Sequence, residues 1–256
     1  MTINDFIAIG EIKRTTARYK RQKQQSKEWI SKALTTHEKP YLALSGGKDS
    51  VAMAYLVNDV AKEMGKSFTM WAHVSDASFP GTESLITKVA SDLGREIIIS
   101  RSEKAFELLA RPERKAFGKT GVFFDAVRTF AKDYDLAFVG TRAYESCRRM
   151  RAAQMHGHEF HSASMGNVDV CNPLTWFRLE DVAALVCDYH APMHPIYLKK
   201  QVDECRRTLD GDSWIRLGYT TAKDLRNKGT VVFLKVNYPE IYNRLIKSDP
   251  SFANYV

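Results

Sequence analysis

Long apolar runs are missing from this 256-residue chain. No stretch approaches the roughly 18 consecutive apolar residues that suggest a membrane-crossing helix, so no membrane partner is expected. Met1 to Gly10 has no basic segment leading into an apolar core. A secretory signal is therefore not expected, and a cytoplasmic location is. Cysteine is scarce and scattered. Cys147, Cys171, Cys187 and Cys205 form no Cys-x-x-Cys pair, which argues against a compact zinc or iron–sulfur signature. Reduced cytosolic thiols are the plain reading. Glycine and proline, at 14 and 8, are too few for a collagen-like or low-complexity chain. Acidic residues are also in deficit: 30 against 38 Lys plus Arg, a formal charge of +8. That excess favours anionic partners such as nucleotides, phosphates, sulfates or nucleic acid, without choosing among them.

What is present reads as one large globular unit, since 44% of positions are apolar. Residues 1–40 form a basic, helical N-terminal segment. Lys13, Arg14, Arg18, Lys20, Arg21, Lys23 and Lys27 crowd it, and Trp29, Ile30, Ala33 and Leu34 follow at helical spacing. A solvated helix face explains this charge run most simply; an anion or nucleic-acid contact is the alternative. From Tyr41 the pattern changes. Tyr41 to Leu44 reads as a buried parallel strand, and Ala52 to Met64 as a helix stopping at Gly65. Strands over Phe68–Val74 and Glu96–Ser100 bracket a helix over Glu83–Leu93. Lys104 to Gly121 reads as an insertion or loop. A helix over Val122–Tyr134 leads to a strand at Leu136–Val139, and helices follow at Leu179–Tyr189 and Pro239–Lys247. The alternation predicts an α/β fold: a mostly parallel twisted sheet with helices on both faces. Residues 41–200 would carry it, and 201–256 would form a mainly helical C-terminal extension.

The most specific string is Ser45-Gly46-Gly47-Lys48-Asp49-Ser50, between the first predicted strand and its helix. The glycines permit a tight turn and close approach of N–H groups to an anion. The helix N-terminus adds partial positive charge, Lys48 a full one, and Ser45 and Ser50 hydroxyls. It is not a Walker A loop, because Asp49 follows Lys48 where Ser or Thr would stand.

This loop resembles the PP-loop signature, Ser-Gly-Gly-x-Asp-Ser, of the N-type ATP pyrophosphatases and of the adenosine phosphosulfate and phosphoadenosine phosphosulfate (PAPS) reductases. Five fixed residues arise by chance in roughly one chain in three thousand of this length, so the match carries weight. Other stretches are similar to the same family. Asp76-x-x-Phe79-Pro80-Gly81-Thr82-Glu83 resembles its Asp-Thr-Gly-x-x-Phe-Pro-Glu-Thr segment, with Ala77 and Ser78 replacing Thr and Gly. Gly140-x-Arg142-x-x-Glu145-Ser146-x-Arg148-Arg149 resembles its Gly-x-Arg-x-x-Glu-Ser-x-x-Arg motif. Asn172-Pro173-Leu174-x-Trp176 and Pro192-x-His194-Pro195 resemble later elements.

The resemblance implies an adenine nucleotide alpha hydrolase-like fold and an adenine nucleotide, ATP or PAPS, as ligand. It implies Ser45, Gly46, Gly47, Lys48, Asp49, Ser50, Asp76, Gly140, Arg142, Glu145, Arg148 and His194 as the binding set. Lys48, Asp49 and Arg142 would act in catalysis, with Mg²⁺ at Asp49 and, less directly, Asp76. Guanidinium groups suit phosphate and sulfate through paired hydrogen bonds.

One part of the family pattern is missing. The reductases use a cysteine in a C-terminal Glu-Cys-Gly-(Ile/Leu)-His motif, whereas Glu204-Cys205-Arg206-Arg207 shares only its first two residues. The expected activity is therefore adenylyl transfer of the ATP pyrophosphatase type, giving AMP and PPi, onto an unknown acceptor. A PAPS reductase relative is one alternative. A nucleotide-binding module without turnover, working with a DNA-modifying or nuclease partner, is the other. Nucleic acid or protein partners stay open.

Overall fold

In the computed structural model, residues 1–102, 122–201, 208–214, 217 and 228–256 are described. Six strands form one sheet: β1 (Pro40–Ala43), β2 (Thr69–Ser75), β3 (Ile97–Ser102), β4 (Leu136–Val139), β5 (Glu159–Ser162) and β6 (Val168–Cys171). Their order is β3-β2-β1-β4-β6-β5. All pairings are parallel except β5 with β6. This is the mostly parallel α/β sheet that the alternation predicts.

Parallel strands covered on both faces must bury alternate residues on opposite sides. β1 does this: Leu42 joins Met70, Ala72 and Phe138 on one face, and Tyr41 joins Trp71 and Ala137 on the other. The first face is packed by helices α1 (Ile3–Lys13), α2 (Ala17–Thr36), α3 (Lys48–Glu63), α4 (Thr82–Leu93) and α7 (Leu179–Tyr189). The second is covered by α5 (Val122–Phe130), whose Val127 is fully buried and whose Phe130 stacks on Trp71. The helix expected to Tyr134 ends at Phe130 and gives way to a 3-10 turn, Ala131–Asp133.

The basic N-terminal segment is two helices rather than one. The break falls at Arg14–Thr16, where the Thr16 hydroxyl accepts the Tyr19 N–H at 3.3 Å and starts α2. Phe6, Tyr19, Ile30 and Leu34 from these helices enter the same buried cluster as Leu42. So do Val231, Phe233 and Leu234 of α8 (Lys228–Asn237) and Leu245 of α9 (Pro239–Ser248). All three expected segments therefore share one core. β5 and β6 were not expected. The predicted loop at Lys104–Gly121 lies entirely outside the described residues.

Topology fixes the place for a site. From β1 the chain runs to β2 and β3 on one side, then crosses to β4 and β6 on the other. Ligands of open α/β sheets bind outside the strands' carboxyl ends at such a reversal. Here that point is between β1 and β4, which lead into Ser45–Ser50 and Gly140–Arg142 respectively.

Candidate functional site

The loop after β1 is braced by its own side chains. Gly46 has φ +78°, a conformation that glycine adopts without steric penalty. The Ser50 hydroxyl donates to the Gly47 carbonyl at 3.0 Å and accepts the Ser45 N–H at 3.2 Å. The Ser45 hydroxyl lies 2.9 Å from Ser50 Oγ and accepts the Gly47 N–H at 3.3 Å. These two serines thus hold the turn's shape. Gly47 is the N-cap of α3, and the next N–H, of Lys48, donates to the Tyr197 hydroxyl at 3.1 Å.

Gly140 explains how β4 comes so close. A Cβ there would lie 2.9 Å from Ser50 Cα, so only glycine lets the strand end touch the first turn of α3. Two residues on, Arg142 is fully buried. Its Nε donates to Asp49, its Nη1 to Asp210 at 2.5 Å and to the Phe177 carbonyl at 3.2 Å. Lys48, also buried, donates to Asp212 at 2.5 Å and to Asp49 at 3.1 Å. Two cations and three carboxylates therefore form one buried network, as burial of charge requires.

Burial disfavours every charge here, but the partners override it. Asp212 and Asp49 raise the Lys48 pKa, and Asp49 and Asp210 raise that of Arg142. Lys48 and Arg142 hold the Asp49 carboxyl well below its usual range, and Arg142 does the same for Asp210. All four stay charged at neutral pH. One donor is left over: Arg142 Nη2 is buried and makes no hydrogen bond among the described residues, with Asp212 at 3.7 Å. A buried unmatched donor is costly, and an anion's oxygen at this spot would satisfy it.

Asp210 and Asp212 were not legible as site residues. Thr208-Leu209-Asp210-Gly211-Asp212 is a tight loop, closed by Thr208 N–H to Asp212 O at 2.9 Å and Gly211 N–H to Thr208 O at 3.1 Å. Asp210 also accepts the Leu179 N–H at the start of α7, at 2.7 Å. The signal for them was indirect: a lysine and an arginine at a buried strand edge need counter-charges from somewhere in the chain.

The remaining candidates divide. Glu145 accepts the Arg142 N–H at 2.9 Å and pairs with Arg149, so it positions the arginine's backbone. Arg148 is exposed on the first turn of α6 (Cys147–His156). Asp76, just past β2, pairs with Arg244 of α9 at 3.0 Å. His194 is a correction. It is fully buried; its Nδ1 accepts the Ile196 N–H and its Nε2 meets Thr82 Oγ1, both at 3.0 Å. Burial pushes its pKa down to about 4, so the ring is neutral and offers no nitrogen to an anion.

Asp49 is the residue expected at a metal. Its two oxygens accept from Arg142 and Lys48. Among the described residues, no group of three or more His, Cys, Asp or Glu side chains is placed to hold a metal ion.

The three described thiols lie elsewhere. Cys171 and Cys187 are buried, and burial raises both pKa values, that of Cys187 to about 11. Cys147 is exposed. Cys205 lies outside the described residues.

The family model for the phosphoadenosine phosphosulfate reductase domain matches residues 39–241. The chain belongs to this PAPS reductase domain family. The PAPS reductase domain starts one residue before β1 and extends through Asp210 and Asp212 into α9. Solved structures share the fold at low identity. PAPS reductase from Candida auris, a phosphate complex, is 15% identical with a TM-score of 0.52, covering 67% of this chain and 82% of that one. FMN adenylyltransferase from Candida glabrata, with FMN and the ATP analogue AMPCPP, is 13% identical with a TM-score of 0.56 and coverages of 77% and 71%. The U34-tRNA thiolase NcsA from Methanococcus maripaludis, with its [4Fe-4S] cluster, is 15% identical with a TM-score of 0.52 and coverages of 91% and 80%. No match is found among curated proteins. No helix among the described residues is long and apolar enough to cross a membrane.

Proposed function

We propose that this PAPS reductase-domain protein is an adenylyl-transfer enzyme that cleaves ATP to AMP and PPi. The observation that carries the reading is the unmatched, buried Arg142 Nη2 beside the braced loop after β1. The β- and γ-phosphates would lie on Ser45–Ser50 at the N-terminus of α3, where the Gly47 and Lys48 N–H groups would exchange their hydroxyl partners, Ser45 and Tyr197, for phosphate oxygens. Arg142 would take an oxygen of the reacting phosphate through Nη2. An oxygen of the acceptor attacks the α-phosphorus, forming a new O–P bond. The bond from the α-phosphorus to the bridging oxygen breaks, PPi leaves, and the acceptor's proton passes to solvent. The chain's contribution is position and fixed charge, which stabilise developing negative charge without reorganising. No step is routed through a metal, because the carboxylates present are already paired with Lys48 and Arg142.

The reductase reading needs a thiolate, and burial raises the thiol pKa of both Cys171 and Cys187, which works against it. Product analysis with labelled ATP tests the proposal. AMP plus PPi supports it, ADP plus phosphate counts against it, and cysteine-dependent sulfite release from PAPS replaces it with the reductase.

A further inference from the structure

The basic run in the first two helices is not electrostatically uniform. Lys13 pairs with Glu180 at 2.6 Å, Lys23 with Asp188 at 2.7 Å, and Lys27 with Asp59 and Glu63, both at 2.8 Å. Arg14 pairs with Glu11 at 2.8 Å. These four tie the helices to the domain or to themselves. Arg18, Lys20 and Arg21 differ: they are exposed and have no acidic partner among the described residues. All three line one shallow, open cleft.

The same cleft has an aromatic part. Tyr144 and Trp176 line it, both half-buried. No ring among the described residues stacks on Trp176, and the Arg178 guanidinium lies 4.9 Å from the Tyr144 centroid. This part is held in place, since the Gln22 side chain donates to the Trp176 carbonyl. It also adjoins the candidate site. Tyr144 is two residues from Arg142, and Trp176 precedes Phe177, whose carbonyl Arg142 binds at 3.2 Å. Glu28 is the one acid in the lining, and it accepts from Gln24 at 3.3 Å.

Unpaired cations and rings lining one cleft are what an unpaired nucleic-acid strand requires: charge for its phosphates and flat faces for its bases. A duplex keeps its bases stacked inside and gains nothing from the rings. We propose that this cleft binds single-stranded nucleic acid. If the adenylyl-transfer reading holds, the bound strand brings the acceptor to the edge of the site. Only that last clause rests on the reading; the binding does not.

The test is fluorescence anisotropy with a short labelled single strand, RNA and DNA in turn, on the full chain without adenine nucleotide. Because no ATP is present, the result stands whether or not the chain cleaves ATP. Three phosphate contacts predict a slope of about −2 for log affinity against log salt. The triple variant Arg18→Gln/Lys20→Gln/Arg21→Gln should flatten that slope and weaken binding about tenfold or more near physiological salt. Lys39→Gln/Lys62→Gln/Lys66→Gln removes the same charge at exposed positions outside the cleft and should change affinity about twofold at most. Trp176→Leu should weaken binding about tenfold at unchanged salt slope. An equal loss in both triple variants, no loss in the cleft variant, or tighter binding of the matching duplex would each overturn the proposal.

Discussion

Arg142 and Asp49 form an ion pair that ties the end of β4 to the first turn of α3. The arginine is inaccessible to solvent, and the carboxylate it binds belongs to the loop motif itself. Two motifs 93 residues apart in sequence are thus one electrostatic object.

Removing the arginine should be severe. Arg142→Met leaves Asp210 without its main counter-charge and Asp49 with Lys48 alone in a buried setting, and breaking such a pair typically destabilises by about 3–5 kcal/mol. Denaturant unfolding measures this. A loss under about 1 kcal/mol would mean that the network is solvated in solution.

Gly47 separates fold from binding. A Cβ there would make only ordinary contacts, the nearest being Ser45 Oγ at 3.4 Å. Gly47→Val should therefore fold while its side chain fills the mouth of the loop. Loss of two charge-assisted N–H bonds predicts about 100-fold or greater weakening of ATP binding. Calorimetric titration with unchanged affinity would remove the loop from the nucleotide site.

His194 predicts a pH effect. Its folded pKa is about 4 against an ordinary 6.5, so between these limits the unfolded chain binds more protons. Stability should then fall as pH drops from about 6.5 to about 4, by up to about 3 kcal/mol from this residue. The ring is neutral with Nδ1 accepting from Ile196, and protonation would turn that acceptor into a donor. His194→Gln should be less stable at neutral pH but flatter through this window. Parallel slopes for both proteins, in denaturant midpoints across the range, would contradict the assignment.

Thiol reactivity should follow burial. Cys147 is exposed and should be labelled quickly by a maleimide at neutral pH, whereas Cys171 and Cys187 should stay protected until the chain unfolds. Peptide mapping after brief labelling distinguishes the sites. Rapid labelling of Cys171 would show that β6 opens readily.

The central strands were legible because parallel strands buried on both faces read as short apolar runs, as Tyr41–Leu44 and Leu136–Val139 do. β5 was not: Glu159-Phe160-His161-Ser162 is a polar edge strand whose pairing with β6 supplies order that its composition does not. The loop was legible from its glycines and hydroxyls between a strand and a helix, and Arg142 from the family motif it resembles, just past a buried strand. Their counter-charges were not, because nothing local to Asp210 or Asp212 records that a lysine and an arginine from the other end of the fold meet them. His194 misled for a related reason. Its place in a family motif pointed toward ligand, while its burial beside Thr82 and Ile196 is a property of the assembled chain.

The distance between Lys48 and Asp212 has a meaning for how the protein is made. They are 164 residues apart in sequence and 2.5 Å apart in space. As the chain leaves the ribosome, the motif emerges early with its lysine answered only by Asp49, which Arg142 also claims. The carboxylate that settles it arrives only after β2, β3, β4, β5 and β6 have been synthesised. A product truncated anywhere in that interval would carry the loop motif and only part of its charge balance. Such a fragment would keep the signature, yet its lysine would lack the shorter of its two ion pairs.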